Sequence, residues 1–334
     1  MPSCLRINNI SCGQVLGIYA VDIFYILSGL SLTIVYQNKM LSSSDLFSFF
    51  IKRIFRIFPV YYLAVTCMLL LNLIIYFLHG TSLGYSAYKI FLNYSLLLGF
   101  IKPSASITTG GWFIGNEIVF CFILPFIFLI SNKWKYIIPI SFLVSIACGF
   151  YWSFFLLDKD VILYEQWSLY VNPFNHIYFF MAGVLICVYG PGLSEIISKR
   201  LCYAMLFFAL MLFWLYPSSG NKIQIVTGVN RTILSACCIL FVVSVFLTNP
   251  KLNSLFGKPL SYLGEISYSI YLLHPIVPYP ILFFLHRLNV EKYAAISYFL
   301  SFFLTFIVSW FTFNYLEKPM MKIGRDLSKK VKMS

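Results

Sequence analysis

The chain has 334 residues, of which 60% are hydrophobic and only 10% charged, and its mean hydropathy is +0.85. A soluble domain carries roughly 25% charged residues, so these figures exclude a soluble globular protein and indicate an integral membrane protein built from apolar helices of about 20 residues each. The net charge of +13 does not point to nucleic acid, because Lys and Arg gather on the cytoplasmic side of membrane proteins.

Nine apolar runs read as spans, at 15–36, 57–78, 112–131, 136–156, 173–190, 201–216, 232–249, 262–285 and 293–316. The fold class is therefore all-α, a polytopic transmembrane helical bundle. A tenth run, 86–101, is short and carries Lys89, which suits an interfacial or re-entrant helix. The polar segment 1–14 is neither a signal peptide nor a span, residues 15–320 form one membrane domain, and 321–334 is a basic tail. The loops at 37–56, 132–135, 190–200 and 250–260, with the tail, hold 16 of the 24 Lys and Arg, against 8 on the other side. That bias places the C-terminus in the cytoplasm and the N-terminus outside. Most of the nine cysteines lie in apolar runs as small hydrophobes, and no Cys/His spacing suits a metal.

Polar groups inside the spans are the candidates for chemistry, because an ionisable side chain in the bilayer usually faces a bundle interior or a wet cavity. In "VDIFYILSGL", Asp22, Tyr25 and Gly29 share a stripe that continues to Tyr36, with Ser28 at its flank. The alternative is that Ser28 and Gly29 are packing positions between helices. In "FIKRIFRIFPVYY", Arg53 and Arg56 share one face, and Pro59 sits where a span begins. Two planar guanidiniums suit a pyrophosphate, although a cytoplasmic anchor would look the same. Trp112 suits an interface, while Glu117 lies in the following span at an outer depth similar to that of Asp22. In "LGEISYSIYLLHPIVPYP", Ser267, Tyr271 and His274 share a face, and Pro275 disfavours helix at His274. Broken helices at membrane depth belong in protein or beside a cavity, so His274 ranks above His176 and above the loop residues His79 and His286. A buried structural histidine is the competing reading.

These stretches, in this order, resemble the acyltransferase family 3 membrane proteins, bacterial inner-membrane enzymes that O-acylate surface polysaccharides such as lipopolysaccharide O-antigen. The family's Val-Asp-Leu-Phe-Phe-x-x-Ser-Gly is similar to Val21–Gly29, and its Arg-x-x-Arg-Ile-x-Pro-x-Tyr falls on Arg53, Arg56, Ile57, Pro59 and Tyr61. Trp-x-x-x-x-Glu falls on Trp112 and Glu117. The late Leu-Gly-x-x-Ser-Tyr-x-x-Tyr-Leu-x-His falls on Leu263, Gly264, Ser267, Tyr268, Tyr271, Leu272 and His274, and Glu-x-Pro on Glu317 and Pro319. The family has ten helices, and its first carries an Arg-x10-His pair whose histidine is regarded as catalytic. No histidine here has an arginine at that spacing, so the chain resembles a member lacking its first helix. The resemblance implies transfer of an acyl group, usually acetyl, from cytoplasmic acyl-CoA to a polysaccharide or lipid-linked glycan on the other side. No bound cofactor or metal is implied. Arg53 and Arg56 would hold the coenzyme A phosphates, and Asp22, Glu117 and His274 would carry the chemistry. Ser28, Gly29, Trp112, Tyr268, Tyr271 and Glu317 are the remaining motif positions. A glycan transporter or flippase and an inactive truncated member are the competing readings.

Overall fold

The computed structural model describes residues 12–39, 42–80, 84–217, 221–250, 252–281 and 294–333. Most of the expected segment 1–14, His286 and the end of the run at 262–285 lie outside them. Among the described residues all regular structure is helical. In chain order the helices are α1 (Cys12–Tyr36), α2 (Ser43–His79), the short α3 (Ala87–Tyr94) and α4 (Leu98–Ile101), then α5 (Gly111–Ser131) and α6 (Ile137–Tyr151). A one-turn α7 (Trp167–Tyr170), α8 (Pro173–Ile196), α9 (Lys199–Leu215), a one-turn α10 (Lys222–Ile225) and α11 (Gly228–Thr248) follow. The last three are α12 (Ser254–Leu273), α13 (Ala294–Thr312) and α14 (Lys318–Met333). A π turn, Trp152–Leu156, extends α6, and another, Phe313–Glu317, joins α13 to α14.

Among the described residues seven helical runs are long and apolar enough to cross a membrane, from Val15–Tyr36 to Ser297–Val331, which makes the chain a multi-pass helical bundle. The run expected at 201–216 lies in α9, which has 17 residues and is outside that set, and of the run expected at 262–285, residues 262–273 lie in α12, which ends at Leu273 before a turn at 274–277 and is also outside it. The run at 86–101 forms α3 and α4, both too short to span.

One boundary is corrected. Pro59 does not open a helix; it lies inside α2. The helix begins sixteen residues earlier because Ser42 and Asp45 form a capping box, in which the Ser42 hydroxyl accepts from the Asp45 amide and the Asp45 carboxylate accepts from the Ser42 amide. Lys52, Arg53 and Arg56, which read as loop by charge, therefore sit on the first turns of a 37-residue helix.

The contacts divide into two compact units, one of residues 1–40 and 116–251 and one of residues 41–115 and 252–334. In the first, α1 lies against α8, and α8 also meets α6 and α11, which in turn meets α9. The α1–α8 crossing is backbone on backbone. A methyl added at Gly29 would overlap the Phe180 carbonyl, and one added at Gly183 would overlap the Ile26 carbonyl. Without a water-driven force between helices, such close approach is how membrane helices gain packing energy. In the second unit, α2 runs along α14, and α12 meets α13 and α2. Gly99 and Gly115 make a second backbone contact there.

Candidate active site

The polar stripe expected on α1 is real, and it faces α8 and α5. Asp22 is 1% exposed, and its Oδ1 lies 2.9 Å from Nδ1 of His176, which is 0% exposed. The other ring nitrogen, Nε2, is 2.9 Å from the Tyr170 carbonyl. A carbonyl only accepts, so Nε2 carries a hydrogen. The hydrogen bond between Nδ1 and Asp22 then needs one more proton, held either by the imidazole or by the carboxyl. The pair thus holds a proton out of water. One turn on from Asp22, the Tyr25 ring stands 5.5 Å from the His176 ring and edge-on to Phe120 at 5.2 Å. Another turn on, the Ser28 hydroxyl donates to Glu117 Oε1 at 3.0 Å.

A second buried charge completes this cluster. Arg231, on α11, is 2% exposed. Its Nη2 donates to the Asn175 carbonyl at 3.0 Å and its Nη1 to the Val226 carbonyl at 3.4 Å. Its guanidinium lies 5.9 Å from the centres of both the Tyr170 and Tyr178 rings, a cation–π arrangement. Among the described residues Arg231 Nε and Asp22 Oδ2 have no hydrogen-bond partner. Asn175 donates to the Tyr170 carbonyl at 2.7 Å, and Asn116 to the Val171 carbonyl at 3.0 Å. The short turn 170–175 is therefore held from three sides, which fixes His176 at the start of α8.

The second unit gathers the later motifs. Tyr268 donates to the Ile57 carbonyl at 2.7 Å, tying α12 to α2 next to Pro59. Glu317 is fully buried, accepts from Ser269 at 2.7 Å and lies within electrostatic reach of Arg56. Arg53 and Arg56 are half-buried rather than solvated. Tyr61 donates to Asn93 Oδ1 at 2.7 Å, and Asn93 in turn donates to the Lys89 and Ala105 carbonyls. Burial, and after it the charge of Lys102, holds the Lys89 ammonium below the usual lysine value, and its Nζ stands 5.0 Å over the Tyr85 ring. Tyr271 reaches the Gly110 carbonyl at 3.4 Å and packs edge-on against Phe113 at 5.0 Å. Trp112 is buried beside it in sequence, at the start of α5.

Several expectations change. Asp22 and Glu117 both turn inward, but each bonds elsewhere: Asp22 to His176 and Glu117 to Ser28. Gly29 is a packing glycine. His274, expected in a buried broken helix, is exposed. The helix does end at Leu273, as Pro275 requires, and Nδ1 of His274 donates to the Tyr271 carbonyl at 2.7 Å. The residues that sequence reasoning undervalued are His176 and Arg231. The signal was present: both are ionisable residues in apolar surroundings, which by themselves mark a candidate site.

A family model described as an acyltransferase domain matches residues 5–314. The ORF330 protein of Acidianus two-tailed virus, which carries an acetyltransferase name, is 27% identical over 241 residues, covering 70% of this chain and 66% of the viral protein. The peptidoglycan O-acetyltransferase OatA of Listeria monocytogenes is 24% identical over 330 residues, covering 92% of this chain and 52% of OatA. The chain thus spans about half to two thirds of the length of these relatives. No solved structure matches. With the acyltransferase model running through Asp22, Arg53, Glu117 and His274, the chain belongs to acyltransferase family 3.

Proposed function

We propose that this chain moves an acetyl group from acetyl-CoA to a hydroxyl of a cell-surface glycan, as a multi-pass protein of a bacterial plasma membrane with its C-terminus in the cytoplasm. The observation that carries the reading is the acyltransferase match over residues 5–314, inside which the motif residues Asp22, Glu117 and Tyr268 all end on polar partners. The acceptor oxygen attacks the thioester carbonyl, a base takes its proton, the carbon–sulfur bond breaks, and the thiolate leaves and is protonated to coenzyme A.

Arg53 and Arg56 bind the donor's phosphates, for which guanidinium forks are suited. Glu117, held by Ser28, orients acceptor hydroxyls. His274, in the second unit, is the base: its Nδ1–H is fixed on the Tyr271 carbonyl, which leaves Nε2 as the proton-accepting nitrogen. Asp22 acts through His176 and is a positioning residue. The Listeria relative is named for peptidoglycan, whereas the motif resemblance points to O-antigen polysaccharide, so the acceptor is tested directly.

Membrane vesicles carrying the protein are given acetyl-CoA labelled in the acetyl group, with peptidoglycan fragments or O-antigen supplied on the opposite face. Label recovered as an alkali-labile ester on one glycan, and lost in the Arg53→Ala, Arg56→Ala double variant, supports the reading. Unchanged labelling by that variant rules out the donor assignment, and label on neither glycan rules out the acceptor class.

A further inference from the structure

A cavity of about 590 Å³ lies at the loop-bearing end of α6 and α11 in the first unit, apart from the Asp22–His176 cluster. Its size falls in the roughly 300–1,000 Å³ range of small-ligand sites. We propose that it is a subsite for a neutral, hydroxyl-rich oligosaccharide, where the acceptor glycan docks. The inference rests on the transferase reading above, in which the loops at 157–172 and 217–231 face outward, where that glycan would be.

Both walls are built rather than loose. On one side the π turn that ends α6 carries Phe155, 78% exposed, and the loop after it presents Asp158 and Lys159. That loop is closed by a buried glutamine. Gln166 Nε2 donates to the Asp158 carbonyl at 2.7 Å and to the Val161 carbonyl at 2.8 Å, while Gln166 Oε1 accepts from the Asp158 amide at 2.7 Å. On the other side Asn230 accepts from the Tyr216 hydroxyl at 2.6 Å and donates to the Gln224 carbonyl at 3.0 Å. This fixes the short turn of α10 and leaves the exposed side chain of Gln224 at the cavity.

The chemistry of the lining selects the ligand. Asp158 and Lys159 are adjacent and of opposite sign, so the cavity carries no net charge to attract a phosphate or a polyanion. A pyranose offers C–H groups on one face and hydroxyls around its rim. An exposed aromatic ring at the edge matches the first, and a carboxylate and an amide on opposite walls match the second. A cavity serving only to seat lipid tails would need neither the carboxylate nor the amide.

The test uses the full chain in lipid nanodiscs without acyl-CoA, with chitotetraose and maltotetraose as probes, read by saturation-transfer NMR and calorimetry. At least one probe is expected to bind, and Asp158→Ala and Gln224→Ala are each expected to weaken it about tenfold, the loss of a hydrogen bond at a polar site. Phe155→Ala should remove the saturation transfer to the sugar C–H groups. The three side chains are exposed or loop-borne, and unchanged melting of each variant checks that the unit is intact. In the transfer assay the same variants should raise the acceptor KM and leave the acyl-CoA KM unchanged. Binding of neither probe, or binding indifferent to all three variants, overturns the subsite. If the wild type binds sugar in this variant-sensitive way yet transfers no label, the transferase reading fails and the subsite stands.

Discussion

Replacing Asp22 with alanine should destabilise the first unit far more than replacing it with asparagine. In the native protein both ring nitrogens of His176 are occupied, Nε2 by the Tyr170 carbonyl and Nδ1 by Asp22, each at 2.9 Å. Alanine leaves Nδ1 facing nothing in a site that water does not reach. If the pair is imidazolium and carboxylate, losing one partner costs about 3–5 kcal/mol. If the shared proton sits on Asp22, the loss is that of a neutral buried hydrogen bond, about 1–3 kcal/mol. Asparagine avoids both costs, because its amide N–H can donate to an unprotonated Nδ1 and keep every polar atom of the ring satisfied. The expected gap between Asp22→Ala and Asp22→Asn is therefore about 2 kcal/mol. Unfolding in mixed detergent micelles, followed by tryptophan fluorescence, measures it. A double-mutant cycle of Asp22→Ala with His176→Phe should give a coupling above about 1 kcal/mol. Equal stability of the alanine and asparagine variants, or strict additivity in the cycle, would refute the claim that this pair holds α1 to α8.

Three further outcomes follow from the packing and the second unit. Gly183→Ala pushes a methyl into the Ile26 carbonyl and should cost about 1–3 kcal/mol in the same unfolding assay, whereas Gly192→Ala, with open space around it, should be neutral or slightly stabilising. Glu317→Gln keeps an acceptor for Ser269 and should lower the melting temperature less than Glu317→Ala, which also leaves Arg56 without its nearby negative charge. A larger loss with glutamine would overturn that account. Arg53→Ala and Arg56→Ala are each expected to raise the acyl-CoA KM about tenfold, and Arg56→Ala also to lower stability, because it removes the positive charge near the buried Glu317; KM and melting measured on the same preparations check both.

Most of the fold was legible because apolar length is a strong signal. The runs read at 112–131 and 136–156 differ by a residue from α5 and from α6 with its π turn. The failures have a common cause, which is that charge was taken to mean loop. The run read at 232–249 started one residue after Arg231, yet α11 begins at Gly228 and carries that arginine in its first turn. The span read at 57–78 left out the basic first turns of α2 for the same reason. The site was half legible. Asp22 and Glu117 stood out as carboxyls in apolar sequence, and both are buried and bonded. Their partners were not legible, because the pairing of Asp22 with His176 joins residues 154 apart and no helical spacing connects them. His274 was expected to be buried for the opposite reason: the proline after it marks the helix end correctly, but a helix end is as often a surface as a core, and His274 is exposed.

The same separation governs how the protein must be made. Asp22 emerges long before the histidine that satisfies it, and at about 5–20 residues per second the 154-residue gap is roughly 8–30 s. During that interval α1 holds a carboxyl that costs about 2.5–3.5 kcal/mol to place at the centre of a lone helix, in a segment whose glycine face also has nothing to pack on. Both deficits are relieved by the same event, the arrival of α8. The α1–α8 pair of the first unit can therefore close only once residue 183 has been synthesised, and α11, which meets both helices, joins them later still.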